Sequence, residues 1–319
     1  GSLERKVRAE KTSVSQKKTL FRRIAERAKI LYNSDVGGDC LEITVHGGGV
    51  SVRGFGGISL SETLDCGQCF RWTEEADGGW RGVVRGVCRT VYEEPDGIFI
   101  AGGDEEEVRR IWLEYFDISR DYAGLRESFS AAPLLREACA FAPGIRVLRQ
   151  EPWEALITFL VSQNNNIPRI RGILERLCAA YGEELPEGEH SFPKAKVLAG
   201  LEPEIFREMG CGYRAEYLSS AAREVARGDL DLEVLRDVSV CEARCRLLKV
   251  FGVGPKVADC ILLYGLGKTE CCPEDVWMKR VLTALGGEMP GCAAGEAGIA
   301  QQYLFYYARK FPQKFRALQ

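Results

Sequence analysis

Histidine is nearly missing from this chain: 319 residues contain only His46 and His190. A multi-histidine metal centre is therefore excluded. Methionine is scarce too, with three residues, and no apolar run approaches the roughly 20 residues a membrane helix needs. The N-terminal stretch is charged and has no apolar signal core, which points to an intracellular protein without a membrane partner. Net charge is only −3, so no overall basicity advertises a nucleic-acid partner. The distribution says more than the sum. Residues 1–30 hold ten Lys/Arg against three acidic residues, a local balance of +7 on a body of −10. Such an arm can touch phosphates or simply be a solvated tail.

Cysteine, by contrast, is plentiful, with thirteen scattered residues. An odd, unpatterned set in a reducing compartment reads as free thiols, mostly buried. Cys66-x-x-Cys69 is the one metal-like pair and has no second pair at finger spacing. No four-cysteine run at cluster spacing is present. We therefore expect no metal and no other cofactor.

Residues 17–32 place Leu20, Ile24, Ala28 and Leu31 at helical spacing. Leu41, Ile43 and Val45 then alternate with polar residues, as in a half-buried strand. Val50 and Val52 continue it. Asp77-Gly78-Gly79 signals a turn before a strand from Trp80 to Tyr92, and 97–101 reads as another strand. From Asp104 onward the pattern is helical: 105–116, 153–163, 170–181, 214–226, 240–250, 255–266, 276–285 and 297–311. The fold class is α+β, an antiparallel β-sheet followed by an α-helical part. The expected domains are a basic extension at 1–35, a sheet domain at 36–125 and a helical domain at 126–319.

The densest signal is Leu247-Leu248-Lys249-Val250-Phe251-Gly252-Val253-Gly254-Pro255-Lys256-Val257-Ala258-Asp259, with Asp275 following. It reads as helix, glycine hairpin, helix, loop, helix. Gly252 and Gly254 permit a tight turn with positive φ. The turn would present backbone N–H groups to a phosphate, a contact blind to base sequence. Lys256 falls in the first turn of the second helix, where dipole and burial both disfavour an ammonium. An uncharged amine there can attack a sugar carbon and form a Schiff base. The plainer alternative is a lysine that contacts a phosphate. Asp275 can cap the next helix. It can also stabilise positive charge at a sugar as a base departs.

Taken together, the motifs resemble the 8-oxoguanine DNA glycosylase/lyase family of the helix-hairpin-helix glycosylase superfamily. The likeness runs from about residue 58 to 310. It is carried by Cys66-Gly67-Gln68-Cys69-Phe70-Arg71-Trp72, by 144–152 (GIRVLRQEP), by 162–170 (SQNNNIPRI), by Gly212-Tyr213-Arg214-Ala215, by 252–260 (GVGPKVADC) and by 297–305 (AGIAQQYLF).

The resemblance implies a TBP-like sheet domain before the glycosylase domain, and a monomer acting on double-stranded DNA that contains oxidised guanine. Lys256 would displace the damaged base, with Asp275 assisting, and the Schiff base would allow strand cleavage by β-elimination. Gly67 would offer its carbonyl to the N7 hydrogen that guanine lacks. Gln301 would bind the Watson–Crick edge, with Phe305 and Cys260 stacking on opposite faces of the ring. Asn164, Arg169 and Arg214 would meet the orphaned cytosine, and Tyr213 would wedge into the stack. Absent the family, Gly67 could merely shape a turn, Phe305 and Cys260 could be core, and the arginines surface cations. Two other functions fit the hairpin: a glycosylase for alkylated purines without lyase activity, and a DNA-binding protein without catalysis. The chain departs from the family at Trp277, where the better-known eukaryotic members carry a histidine, and at Gln163, where a small residue is usual.

Overall fold

In the computed structural model, residues 29–31 and 41–315 are described. Seven antiparallel strands form one sheet: β1 (Lys29–Leu31), β2 (Glu42–His46), β3 (Gly49–Arg53), β4 (Trp72–Glu74), β5 (Trp80–Val84), β6 (Val87–Glu94) and β7 (Gly97–Ala101). Their order is β1-β2-β3-β7-β6-β5-β4.

Two expectations are corrected. The helix expected at 17–32 gives way at its end to β1, which pairs with β2 through Ile30 opposite Ile43; the rest of that stretch lies outside the described residues. Pairing there covers an otherwise open sheet edge. The strand expected from Trp80 to Tyr92 is two strands. Arg85 (φ 49°) and Gly86 (φ 75°) turn the chain between them, and two consecutive positive φ values suit the twist of a two-residue hairpin.

Helices follow the sheet, except for α1 (Leu60–Leu64), which Ser59 caps before the fourth strand. The elements that build the candidate site are α2 (Pro152–Ser162), α3 (Ile167–Tyr181), α4 (Ala215–Arg227), α5 (Val240–Leu247), α6 (Pro255–Cys260), α7 (Val276–Ala284) and α8 (Ala297–Lys310). A π-turn, Ile261–Gly265, continues α6. No helix among the described residues is long and apolar enough to cross a membrane.

The apolar interior forms two clusters. One gathers Ile43, Val52, Trp72, Ile98, Trp112 and Phe116 on the sheet. The larger one gathers Phe159, Leu174, Leu218, Val257, Leu262 and Tyr303 among the helices. Leu148 packs in the first and Phe70 in the second, so each part lends the other a side chain. Arg146, 1% exposed, pins the seam. It donates to the carbonyls of Phe55 (2.6 Å), Asp117 (2.9 Å) and Gly57 (3.2 Å). Its guanidinium also lies over the Tyr122 ring, 4.5 Å from the centroid. A buried cation needs that many partners.

Arg71 reaches across the same seam to Glu154 at 3.4 Å. Burial pushes the Glu154 carboxyl from 4.5 up to about 7, although the Arg71 guanidinium pulls it down. A carboxyl with a higher pKa folded than unfolded makes the native state bind more protons. Its contribution is fully present below pH 4.5 and is lost as pH rises through about 7. Thermal unfolding of wild type and Glu154→Gln at several pH values across that window checks this. The permanently neutral variant should lose less stability with rising pH, and parallel curves would contradict the assignment.

Candidate active site

Gly67 sits in the loop after α1 with φ +88°, a conformation few residues other than glycine adopt. Its neighbours hold it there. The Gln68 side chain is fully buried; it donates to the carbonyls of Thr63 and Arg146, both at 2.8 Å, and accepts from the Leu148 amide at 2.8 Å. Gln150 Nε2 donates to the Gln68 carbonyl at 2.7 Å, and the Gln150 amide donates to Tyr264 O at 2.7 Å. Tyr264 OH donates to Gln302 Oε1 at 2.6 Å, and Gln302 Nε2 reaches the Cys66 carbonyl at 3.4 Å. The loop is thereby closed in a ring of hydrogen bonds that includes the π-turn and α8.

Along α8, Gln301 is 3% exposed, with Oε1 3.5 Å from Tyr264 OH. Phe305 lies one turn further along. A Cβ on Gly67 would stand 3.5 Å from the Phe305 ring, so Gly67 and Phe305 face each other.

The hairpin follows α5. The Val253 amide donates to Val250 O at 3.0 Å, and Gly252 has φ +87°. A Cβ on Gly252 would lie 2.2 Å from the Tyr217 ring. The positive φ expected of Gly254 is not found. It takes φ −93°, ψ 177° as the N-cap of α6, because an N-cap is extended. A Cβ there would meet nothing within 4 Å, so its bare face is open. Arg244 on α5 and Asp259 on α6 pair at 2.7 Å and brace the two helices.

Lys256 is half-buried in the first turn of α6. Its Nζ stands 5.5 Å from the centroid of Phe159, which α2 supplies. Cys260 is 2% exposed. Burial pushes its thiol up to about 11, the Lys256 ammonium pulls it down, and the nearby Asp275 carboxylate raises it. One sulfur thus feels both expected catalytic charges. Asp275 is the N-cap of α7 and accepts from the Met278 amide at 2.8 Å.

The asparagine loop lies between α2 and α3. Asn164 is exposed with φ 45°, and its Nδ2 is 3.3 Å from Tyr213 OH. Tyr213 is 51% exposed. Arg169 is exposed and donates to Gly210 O at 3.0 Å. Arg214 is not the surface cation of the plainer reading. It is 3% exposed and donates to the carbonyls of Gln163 (2.7 Å), Asn164 (3.0 Å) and Cys211 (3.3 Å). The chain leaves helical geometry there, and a guanidinium fork satisfies the carbonyls it frees. Gln163, a departure from the family pattern, donates to Gly252 O at 3.1 Å and so ties this loop to the hairpin. Trp277, the other departure, lies beneath Arg280 at 5.2 Å.

Sequence reasoning missed Phe159, Tyr264, Gln302 and Arg309 as parts of this site. Arg309 alone carried a signal, being one helical turn beyond Phe305 and two beyond Gln301. Among the described residues no three metal-ligating side chains gather.

A lysine at a hairpin-helix start, an aspartate capping the helix that follows and a glycine facing a phenylalanine fit a helix-hairpin-helix base-excision protein. Comparison with known proteins agrees. Residues 56–156 match the 8-oxoguanine DNA glycosylase N-terminal domain, and 157–296 match the HhH-GPD superfamily of base excision DNA repair proteins. The N-glycosylase/DNA lyase of Saccharomyces cerevisiae is 31% identical over 70% of this chain and 67% of its own length. The structure of MBOgg1 with a low-affinity DNA ligand is 39% identical, covering 85% of this chain and 99% of that one, with a TM-score of 0.81. The Clostridium acetobutylicum 8-oxoguanine glycosylase/lyase, solved with duplex DNA containing cytosine opposite 8-oxoguanine, is 33% identical over 88% of this chain and all of its own, with a TM-score of 0.80. The chain belongs to the 8-oxoguanine DNA glycosylase family.

Gly252→Ala tests the hairpin. Strain at φ +87° and the clash with Tyr217 should cost about 1–3 kcal/mol in urea unfolding. Unchanged stability would mean the hairpin relaxes freely.

Proposed function

We propose that this chain is a bifunctional DNA repair enzyme that excises 8-oxoguanine, opposite cytosine, from duplex DNA and then cleaves the abasic strand. The observation that carries this reading is the placement of Lys256. It is half-buried in the first turn of α6, with its Nζ over the Phe159 ring.

The base must leave the stack to be reached, at a cost of a few kcal/mol. Gly254, with its open face, and the start of α6 would receive a phosphate. Asn164, Arg169 and Tyr213 would face the gap and the orphaned cytosine, while Arg214 holds the loop that carries Asn164. The flipped base would lie between Phe305 and Cys260, with its polar edge on Gln301 and its N7 hydrogen on the Gly67 carbonyl. Guanine would set a lone pair against that carbonyl, a mismatch worth about 1–3 kcal/mol.

In its uncharged form Lys256 Nζ would bond to C1′ as the glycosidic bond breaks and the base departs with the bonding pair. The Asp275 carboxylate would stabilise positive charge at the sugar. Ring opening would give the imine. Loss of a C2′ proton would then expel the 3′ phosphate, which is β-elimination. We further propose that the enzyme acts inside the cell as a monomer. Residues 36–125 and 126–319 would be its domains and 1–35 a basic extension.

Borohydride should trap a covalent complex of wild type with an 8-oxoguanine duplex, and Lys256→Gln should trap none. Undiminished trapping by that variant would reject the lysine mechanism. No trapping by wild type, with base release intact, would favour a glycosylase without lyase activity; neither release nor trapping would favour a binding protein. In addition, Gly67→Ala should lower preference for the lesion over undamaged duplex by about tenfold, and equal losses on both would contradict the Gly67 role.

A further inference from the structure

The last turn of α8 places a cation beside Gly67 and Phe305. Arg309 Nη1 stands 3.3 Å from the point where a Gly67 side chain would begin, and its guanidinium carbon is 5.6 Å from the Phe305 ring centroid. The charge is felt within the loop, where it lowers the pKa of the Cys66 thiol against the larger effect of burial. Arg309 is exposed, and among the described residues it makes no hydrogen bond or ion pair. Lys314, further along the chain, does have a carboxylate, Glu137 at 2.7 Å. Arg309 is thus an uncommitted group, able only to donate, resting against the backbone that meets N7 of the base.

We infer that Arg309 is a specificity-determining residue that donates a charged hydrogen bond to O8 of the lesion. In 8-oxoguanine the atom beside the N7 hydrogen is a carbonyl oxygen. In guanine the same place carries a C–H, whose positive edge would face the guanidinium. The lesion is then read twice, by an acceptor at Gly67 and by a donor at Arg309. The two contacts oppose guanine at adjacent atoms. This inference rests on the proposed placement of the base against Gly67. A phosphate is the other anionic group Arg309 could meet. Its position against Gly67 and Phe305 favours the base.

The test separates the two contacts. Lys256→Gln protein is titrated with duplexes carrying 8-oxoguanine, 9-deazaguanine or guanine opposite cytosine. 9-Deazaguanine has the N7 hydrogen but no O8. Affinity should fall in that order. Adding Arg309→Met should shrink the ratio of 8-oxoguanine to 9-deazaguanine affinity by about tenfold, the scale of a hydrogen bond to a charged group. The ratio of 9-deazaguanine to guanine should not shrink with it, and Arg309→Lys should restore part of the loss. Equal weakening on all three duplexes would make Arg309 a phosphate contact and overturn the inference, as would no change on any. If Lys256→Gln alone fails to prefer 9-deazaguanine over guanine, the Gly67 reading falls first, and that failure shows before Arg309 is touched.

Discussion

A buried primary amide cannot leave its polar atoms unpaired without losing about 1–3 kcal/mol for each, and three such amides meet beside Gly67. Gln68, Gln150 and Gln302 are all buried. Their bonds run from Gln68 to Gln150, from Gln150 to the Tyr264 backbone, from the Tyr264 hydroxyl to Gln302, and from Gln302 back to Cys66. Four chain segments are held by this one circuit. Gly67 lies between its two ends, so its backbone is fixed from both sides. Cross-linked polar networks of this kind hold a geometry that apolar packing alone would leave loose.

The lysine half of the site depends on that circuit through Tyr264. Its ring stacks on Phe159 at 5.4 Å, and Phe159 lies beneath Lys256. The sheet enters through the seam. Arg146 holds the loop at residues 55–57 by two carbonyls and its own carbonyl accepts from Gln68. Gly67 loop, amine and seam are therefore one connected piece. On the opposite side of the hairpin, Gln163 and Arg214 give the asparagine loop its shape. The Gly67 loop and the asparagine loop thus rest on different supports.

Much of this was legible in residue order. Alternation at Leu41, Ile43 and Val45 announced the sheet, and apolar spacing announced the site helices within a few residues of their observed ends. Local chemistry announced Asp275 as a cap and Gly252 as a turn. What misled was also local. Residues 29–31 fit a helical stripe, yet the open edge of β2 recruits them as a strand. The Arg85-Gly86 turn escaped notice because arginine rarely takes positive φ. Arg214 read as a contact to the orphaned cytosine or as a surface cation, and only the three-dimensional course of the loop at 163–166 gives it carbonyls to hold.

By itself the order of residues determined the family and the hairpin with its lysine, because each is written in contiguous motifs whose physics is local. The folded molecule alone decided which distant residues come together. Gly67 and Phe305 are more than two hundred positions apart, as are Cys66 and Gln302. Only tertiary packing closes such distances. The same packing laid Phe159 under Lys256 and Arg309 beside Gly67, and no pattern within a helix specifies what a separate segment brings against it.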